Sequence, residues 1–278
     1  MKGRLTDESD IPTLIELLRR NDCLLEIVGI DLNAHTALDV DSHKFELARV
    51  MLAGTSSAHH PNVHQLVNDL ARRITSLPNQ LYVQSSVLIE LMRNTCENAV
   101  NYYAQRQPRE LSAFHWVIDG KSKTGLTEGE NLWASIVMPL LMAKSVEQPM
   151  ALFEGGDFSF FDKFNRPPPS WLPIPIGATD TVTDIKQLLM EDFRYSSSIE
   201  PGLELVDVLV NAARRALIGH LDSHGWSTLP SLMIHRHQQY INLVKLHDRA
   251  TEINAALAEI LRFFTRGGRQ MLAPRYRS

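Results

Sequence analysis

From Ala37 to Gln107 apolar side chains recur at three- and four-residue spacing, and this long block limits the fold more than any other feature of the chain. Phe45, Leu47, Val50 and Leu52 mark one stretch. Val63, Leu66, Val67, Leu70 and Ile74 mark a second, and Val87, Leu88, Leu91, Cys96 and Val100 a third. Breaks at Gly54-Thr55-Ser56 and Pro78-Asn79 divide the block into three helices. Strand signals lie on both sides of it: Leu24 to Ile30, closed by Asp31, and Ala113 to Ile118, closed by Asp119 and Gly120. The pattern predicts an α/β chain in which a helical insertion of about residues 37–107 separates two strands of a mixed sheet.

Before the block, Ser9 or Asp10 reads as a helix N-cap with Pro12 in the first turn, and Leu14, Ile15, Leu17 and Leu18 form one face ending near Asn21-Asp22. After it, Glu128 to Ser145 is helical, with Trp133, Ile136, Leu140 and Leu141 apolar and Pro139 predicting a kink. Glu154 to Gly177 is rich in Gly, Phe and Pro, and its phenylalanines predict an ordered loop. A helix over Asp184 to Met190, an edge strand over Phe193 to Ser197, a helix over Pro201 to Ile218, a strand over Tyr240 to Leu246 and a helix over Glu252 to Phe264 complete the reading. With 278 residues, 44% of them hydrophobic, the chain can bury one large core and reads as a single domain over 1–278.

The net charge of -4 excludes a wholly basic nucleic-acid coat and leaves room for a local basic patch. Cys23 and Cys96 sit apart in apolar segments and read as free thiols of a reducing compartment. No run approaches the length of a membrane helix, and Met1-Lys2-Gly3-Arg4 lacks the apolar core of a secretion signal. The expectation is a cytoplasmic protein that does not enter a membrane, with its oligomeric state open. Beyond Glu259 the tail of about residues 262–278 carries Arg262, Arg266, Arg269, Arg275 and Arg277 and no acid. Such a tail can touch nucleic-acid phosphates; a solvated, frayed terminus is the preferred reading.

The carboxylates carry the chemistry. Asp31 and Asp119 each end an apolar strand, and ligands of open α/β sheets bind at the carboxyl ends of strands. Turn formation is the preferred reading of an aspartate there, for Asp31 above all. In the helix from Pro201, Leu203, Leu205, Val206, Val208, Leu209 and Val210 predict burial almost all round, yet Glu204, Asp207 and Asn211 form a polar stripe, followed by Arg214 and Arg215. Buried carboxylates need arginines or a cation, unless the stripe simply emerges at the surface. If Asp119, Glu204 and Asp207 converge, with Asp31 as an outside candidate, they form an oxygen site for Mg²⁺ or Mn²⁺ suited to phosphodiester cleavage. His235-Arg236-His237 lacks Cys or His partners at zinc spacing, and His59-His60 reads as the surface-exposed opening of a helix. Gly155-Gly156-Asp157 lacks the Lys-Ser/Thr pair of a phosphate loop, and Ser196, Ser197 and Ser198 fit no nucleophile elbow.

Several short segments together resemble the bacterial and phage family of domain of unknown function 3800, which has a ribonuclease-H-like core. Lys2-Gly3-Arg4-Leu5 resembles its lysine-glycine segment, Ile27 to Asp31 its next strand, and Trp116-Val117-Ile118-Asp119-Gly120 its Ile-Asp-Gly strand end. Ser198 to Asp207 resembles its C-terminal Gln-x-x-Asp pattern, with Glu204 in place of the glutamine and Val206 in place of an alanine. The resemblance implies a metal-dependent nuclease in which Asp119 and Asp207 are ligands and Glu204 is an extra ligand or a supporting acid. The family's opening strand with Asp-Glu-Ser has no counterpart, because Asp7-Glu8-Ser9 follows the lysine-glycine segment and reads as a helix cap. That implies a start placed too late, a copy without activity, or a variant site, the first being preferred. The competing class is a non-catalytic accessory module of a phage or mobile-element defence system, in which the acids only pair with Arg214, Arg215 or Lys121.

Overall fold

A computed structural model describes residues 9–55, 61–120, 127–167, 181–235, 240–247 and 255–273. Helix α1 (Asp10–Arg20) is followed by Asp22, whose φ of 55° turns the chain toward strand β1 (Ile27–Gly29). Asp and Asn tolerate this left-handed conformation better than other side chains that carry a Cβ. The helical block follows as α2 (Ala37–Ala53), α3 (Pro61–Ser76) and α4 (Asn79–Ala104), with the breaks where glycine and proline predict them. Thr36 and Asp39 close a capping box at the start of α2.

The faces of α2 and α3 differ from expectation, α3 leaving Val63 and Leu66 exposed. Helix α2 buries Val40, Lys44 and Ala48, and leaves Phe45 61% exposed together with Val50 and Leu52. Lys44 is fixed from inside: its ammonium donates to the carbonyl of Leu77 (3.0 Å) and to Asn79 Oδ1 (2.5 Å) and pairs with Asp41 (2.9 Å). Those bonds make a buried lysine tolerable and set the rotation of α2. Helix α4 is the spine of the larger core, burying Ile89, Met92, Cys96 and Val100 at three- and four-residue steps. The helical block is therefore part of the main core.

Strand β2 (Trp116–Asp119) leads to α5 (Glu128–Leu132), one turn of π-helix over Trp133–Val137, and α6 (Met138–Glu147). The irregularity predicted at Pro139 is this wide turn, which ends just before the proline. In the loop beyond, Phe161 and Phe164 are fully buried against Phe114, as the aromatic content predicts. Its segment 168–177 lies outside the described residues. Strands β3 (Asn165–Arg166) and β4 (Val182–Thr183), helix α7 (Ile185–Met190), strand β5 (Phe193–Ser196) and helix α8 (Pro201–Leu217) come next. Short helix α9 (Ser223–Trp226), strands β6 (Ile234–His235) and β7 (Ile241–Leu243), helix α10 (Ala255–Phe264) and strand β8 (Arg269–Gln270) complete the chain.

The fold is α/β and mostly helical. Among the described residues the strands pair only two by two: β1 with β7, β2 with β5 and β6 with β8 in parallel, β3 with β4 antiparallel. The continuous mixed sheet expected from the sequence is not formed by these strands. A second core gathers α1 with the C-terminal elements, through Ile11, Ile15, Leu209, Ala213, Trp226 and Phe264. Both cysteines are free, Cys96 being buried. No helix among the described residues is long and apolar enough to cross a membrane.

Candidate functional site

The carboxyl end of the β2/β5 pair carries Asp119, and the chain leaving β5 leads into the helix that bears Glu204 and Asp207. β2 and β5 run in parallel with Trp116 opposite Phe193 and Asp119 opposite Ser196. The ladder extends at both ends, from Trp116 N–H to the carbonyl of Asp192 (2.8 Å) and from Gly120 N–H to that of Ser196 (2.7 Å). Aromatic packing fixes the pair underneath: Trp133 stacks on Phe193 at 4.8 Å, and the Trp116 indole N–H donates to the carbonyl of Leu188 (2.9 Å).

Gly120 is buried where the strand ends. A Cβ there would lie 3.3 Å from Glu130 Oε1 and equally close to the Ser196 carbonyl carbon and oxygen, so the glycine permits α5 and β5 to meet over the end of β2. Glu130 is buried too, and its charge has a structural reason. It closes a capping box in which Thr127 N–H donates to Glu130 Oε2 (2.5 Å) and Glu130 N–H to Thr127 Oγ1 (3.4 Å). The N-terminal helix dipole favours the same negative charge. Tyr195 donates to the Glu130 carbonyl (3.2 Å), and burial pushes its phenol up to about 12. Sequence reasoning missed Glu130, although Thr127-x-x-Glu130 is a capping-box signature.

Four residues separate Ser196 from α8, which packs against β2. Across that connection Arg194 of β5 forms a two-pronged pair with Glu200 (2.5 and 2.7 Å). The Arg194 guanidinium first, and the Ser196 hydroxyl second, hold the Glu200 carboxyl down at about 2. Glu204 and Asp207 follow on α8. Both are exposed, as is Asp119, and none of the three makes an ion pair among the described residues.

This corrects the expectation of a buried α8. The helix buries Leu209, Ala212, Ala213 and Ala216, and turns Glu204, Asp207 and Asn211 to solvent beside Val206 (52% exposed) and Val210 (55%). Small alanines fill the packed face, so the valines were free to fall outside. Dehydration therefore imposes no demand for a cation on this stripe. Asp31 stands apart in the β1/β7 region. It accepts from Asn33 N–H (3.0 Å), and its carbonyl meets His35 Nδ1 (2.8 Å), which is the turn-forming role. Among the described residues no group of three His, Cys, Asp or Glu side chains is close enough to hold a metal ion. The donor chemistry suits Mg²⁺, but a ready-made cage of protein oxygens does not exist there.

Arg215 donates to the carbonyl of His220 (3.1 Å), whereas Lys121, His59-His60, Arg236-His237, Lys2 to Ser9's preceding residue Glu8, Arg275 and Arg277 lie outside the described residues. Arg269 corrects the reading of a frayed tail: it is paired with Asp22 at 2.7 Å. No protein-family model, curated protein or solved structure matches the chain.

Proposed function

We propose that the chain is a ribonuclease-H-like relative of metal-dependent nucleases that binds phosphodiesters at the carboxyl end of β2/β5. One observation carries this reading: β2 ends in Asp119 opposite Ser196 of a parallel neighbour, and the helix that follows that neighbour packs on β2 and bears Glu204 and Asp207. Two elements that pack together thus both carry hard oxygen donors, as a site at the end of a strand pair requires.

Mg²⁺ is commonly held by only one or two carboxylates, with water and substrate phosphate supplying the other oxygens, so a three-acid cage is not required. Asp119 would be the ligand from the strand, Asp207 the ligand from the helix, and Glu204 the supporting acid. Bound there, Mg²⁺ or Mn²⁺ would stabilise charge on a phosphoryl oxygen. The chain's own contribution is positional: Gly120 and Glu130 lock the strand end, while the Arg194–Glu200 pair fixes the start of α8. The exposed arginines Arg262 and Arg266 would add phosphate contacts.

Manganese binding by the full chain, measured by electron paramagnetic resonance, tests the reading. Binding that is weakened in both Asp119→Asn and Asp207→Asn, together with Mn²⁺-dependent cleavage of single-stranded RNA or DNA, supports it. Binding that is absent, or indifferent to both substitutions, refutes it. A second reading, a protein-binding module, is favoured by Ile199, Val206 and Val210, which share the exposed region with the acids.

A further inference from the structure

We propose that a separate cavity, between α4, α6 and α7, binds a free amino acid with an apolar side chain. Its volume is about 160 Å³, comparable to the roughly 150 Å³ apolar cavity that accepts benzene. The proposal is independent of the chemistry assigned to the β2/β5 end.

The floor is apolar. Met92, Cys96, Leu141 and Leu189 are all buried and all line the space, with Met150 on one wall. Thioether and thiol sulfurs are polarizable and make favourable contacts with ring edges, which suits a phenyl or a branched aliphatic group. The lining also carries charge. Arg93 and Glu97 lie one turn apart on α4 and both line the cavity. Their guanidinium and carboxylate stand 3.7 Å apart, longer than a hydrogen bond, with about three-tenths of each side chain exposed (28% and 30%). Neither side chain has a closer ion-pair partner among the described residues.

Among the described residues the lining has one cation and one anion beside its buried apolar side chains, which is complementary to a zwitterion with an apolar side chain. The ligand carboxylate would face Arg93, where two parallel N–H donors can be offered, and its ammonium would face Glu97. Inserting both charges replaces one long intrahelical pair by two close ones. A simple carboxylate would meet Arg93 but be opposed by Glu97. A simple amine would meet Glu97 but be opposed by Arg93, and an uncharged ring would gain only the floor. The geometry thereby sets an order of affinity among four small molecules of similar size.

Calorimetric titration of the full chain with L-phenylalanine, phenylacetate, phenethylamine and benzyl alcohol reads that order directly. L-phenylalanine should bind at least about tenfold more tightly than each of the others, a difference of roughly 1.4 kcal/mol. Arg93→Gln and Glu97→Gln should each remove most of that advantage, and Arg93→Lys should restore part of it. Both side chains are partly exposed, so circular dichroism should find these variants folded. As a second measurement, L-phenylalanine should slow alkylation of Cys96 in a Cys23→Ser background. No heat at about 10 mM ligand, a concentration that would reveal a millimolar site, overturns the proposal. So does binding of the four molecules with equal affinity, or an advantage for L-phenylalanine that survives both glutamine variants.

Discussion

Replacing Asp22 by alanine should be among the most damaging single changes outside the apolar cores. Its Oδ1 accepts from Arg269 (2.7 Å) and from the Tyr102 hydroxyl (2.8 Å), its Oδ2 from Gln107 (3.2 Å), and its carbonyl from the Tyr103 hydroxyl (2.8 Å). Arg269 in turn donates to the carbonyls of Ser231 (2.9 Å) and Arg19 (3.3 Å). This node ties the end of α1 to α4 in the larger core and to β8 beside the smaller one. Breaking a fully buried ion pair costs about 3–5 kcal/mol. Side-chain exposures of 15% for Arg269 and 27% for Asp22 admit some water, which lowers the electrostatic part to about 2–3 kcal/mol. The φ of 55° adds a backbone penalty for alanine of about 1 kcal/mol.

The expected loss for Asp22→Ala is therefore about 3–4 kcal/mol, read from the urea midpoint with an unchanged m value. In a thermal scan it corresponds to a fall of roughly 6–12 °C. Asp22→Gly should lose less, because it relieves the backbone. Asp22→Asn should lose least, at about 1–2 kcal/mol, since it keeps the left-handed preference and part of the hydrogen bonding. A double-mutant cycle with Arg269→Met should give a coupling of at least about 1 kcal/mol. A loss below about 0.5 kcal/mol for Asp22→Ala, or additivity within that margin, would refute the reasoning.

Gly120→Ala should cost about 1–3 kcal/mol in chemical denaturation, because its methyl would press on the Ser196 backbone, which cannot rotate away. Phe164→Ala should cost about 3–5 kcal/mol by the same assay, as the ring is fully buried among Phe114 and Phe161. In acid, the depressed Glu200 carboxyl contributes stability above its ordinary value of 4.5, and that contribution fades as pH falls toward about 2. Urea midpoints between these limits should therefore depend less on pH in Arg194→Gln than in the parent chain. In alkali, burial pushes the Cys96 thiol from 9.0 up to about 12, so ionisation of the unfolded chain should erode stability from pH 9 upward. Cys96→Ala should flatten that decline, and an unchanged slope would contradict it.

What could be read from the sequence, and what could not, divides along physical lines. Local chemistry was legible: the position where α1 starts, though not a side-chain cap there, the glycine and proline breaks flanking α3, and the aspartates that close β1 and β2 all follow from preferences of residues near in the chain. Rotation about a helix axis was not. Apolar counting placed Phe45 and Val206 inward, but Lys44 satisfied by Leu77 and Asn79, and the alanine face of α8, turn both outward. A helix buries the face its neighbours fit, and small or well-bonded residues can fit better than large apolar ones. The acids at the β2/β5 end were recognisable by type. Their setting was not: solvent, rather than a dry core, surrounds Asp119, Glu204 and Asp207, and the buried acid nearby is Glu130, held by its own helix cap. Asp22 and Arg269 lay furthest from reach. Only tertiary folding can join residues so distant in the chain, although an aspartate just past a helix end does hint at a left-handed turn. If the proposed ion affinity at the β2/β5 end exists, it would rest on hydrated carboxylates, and it should weaken as salt rises, unlike the partly buried Asp22–Arg269 pair.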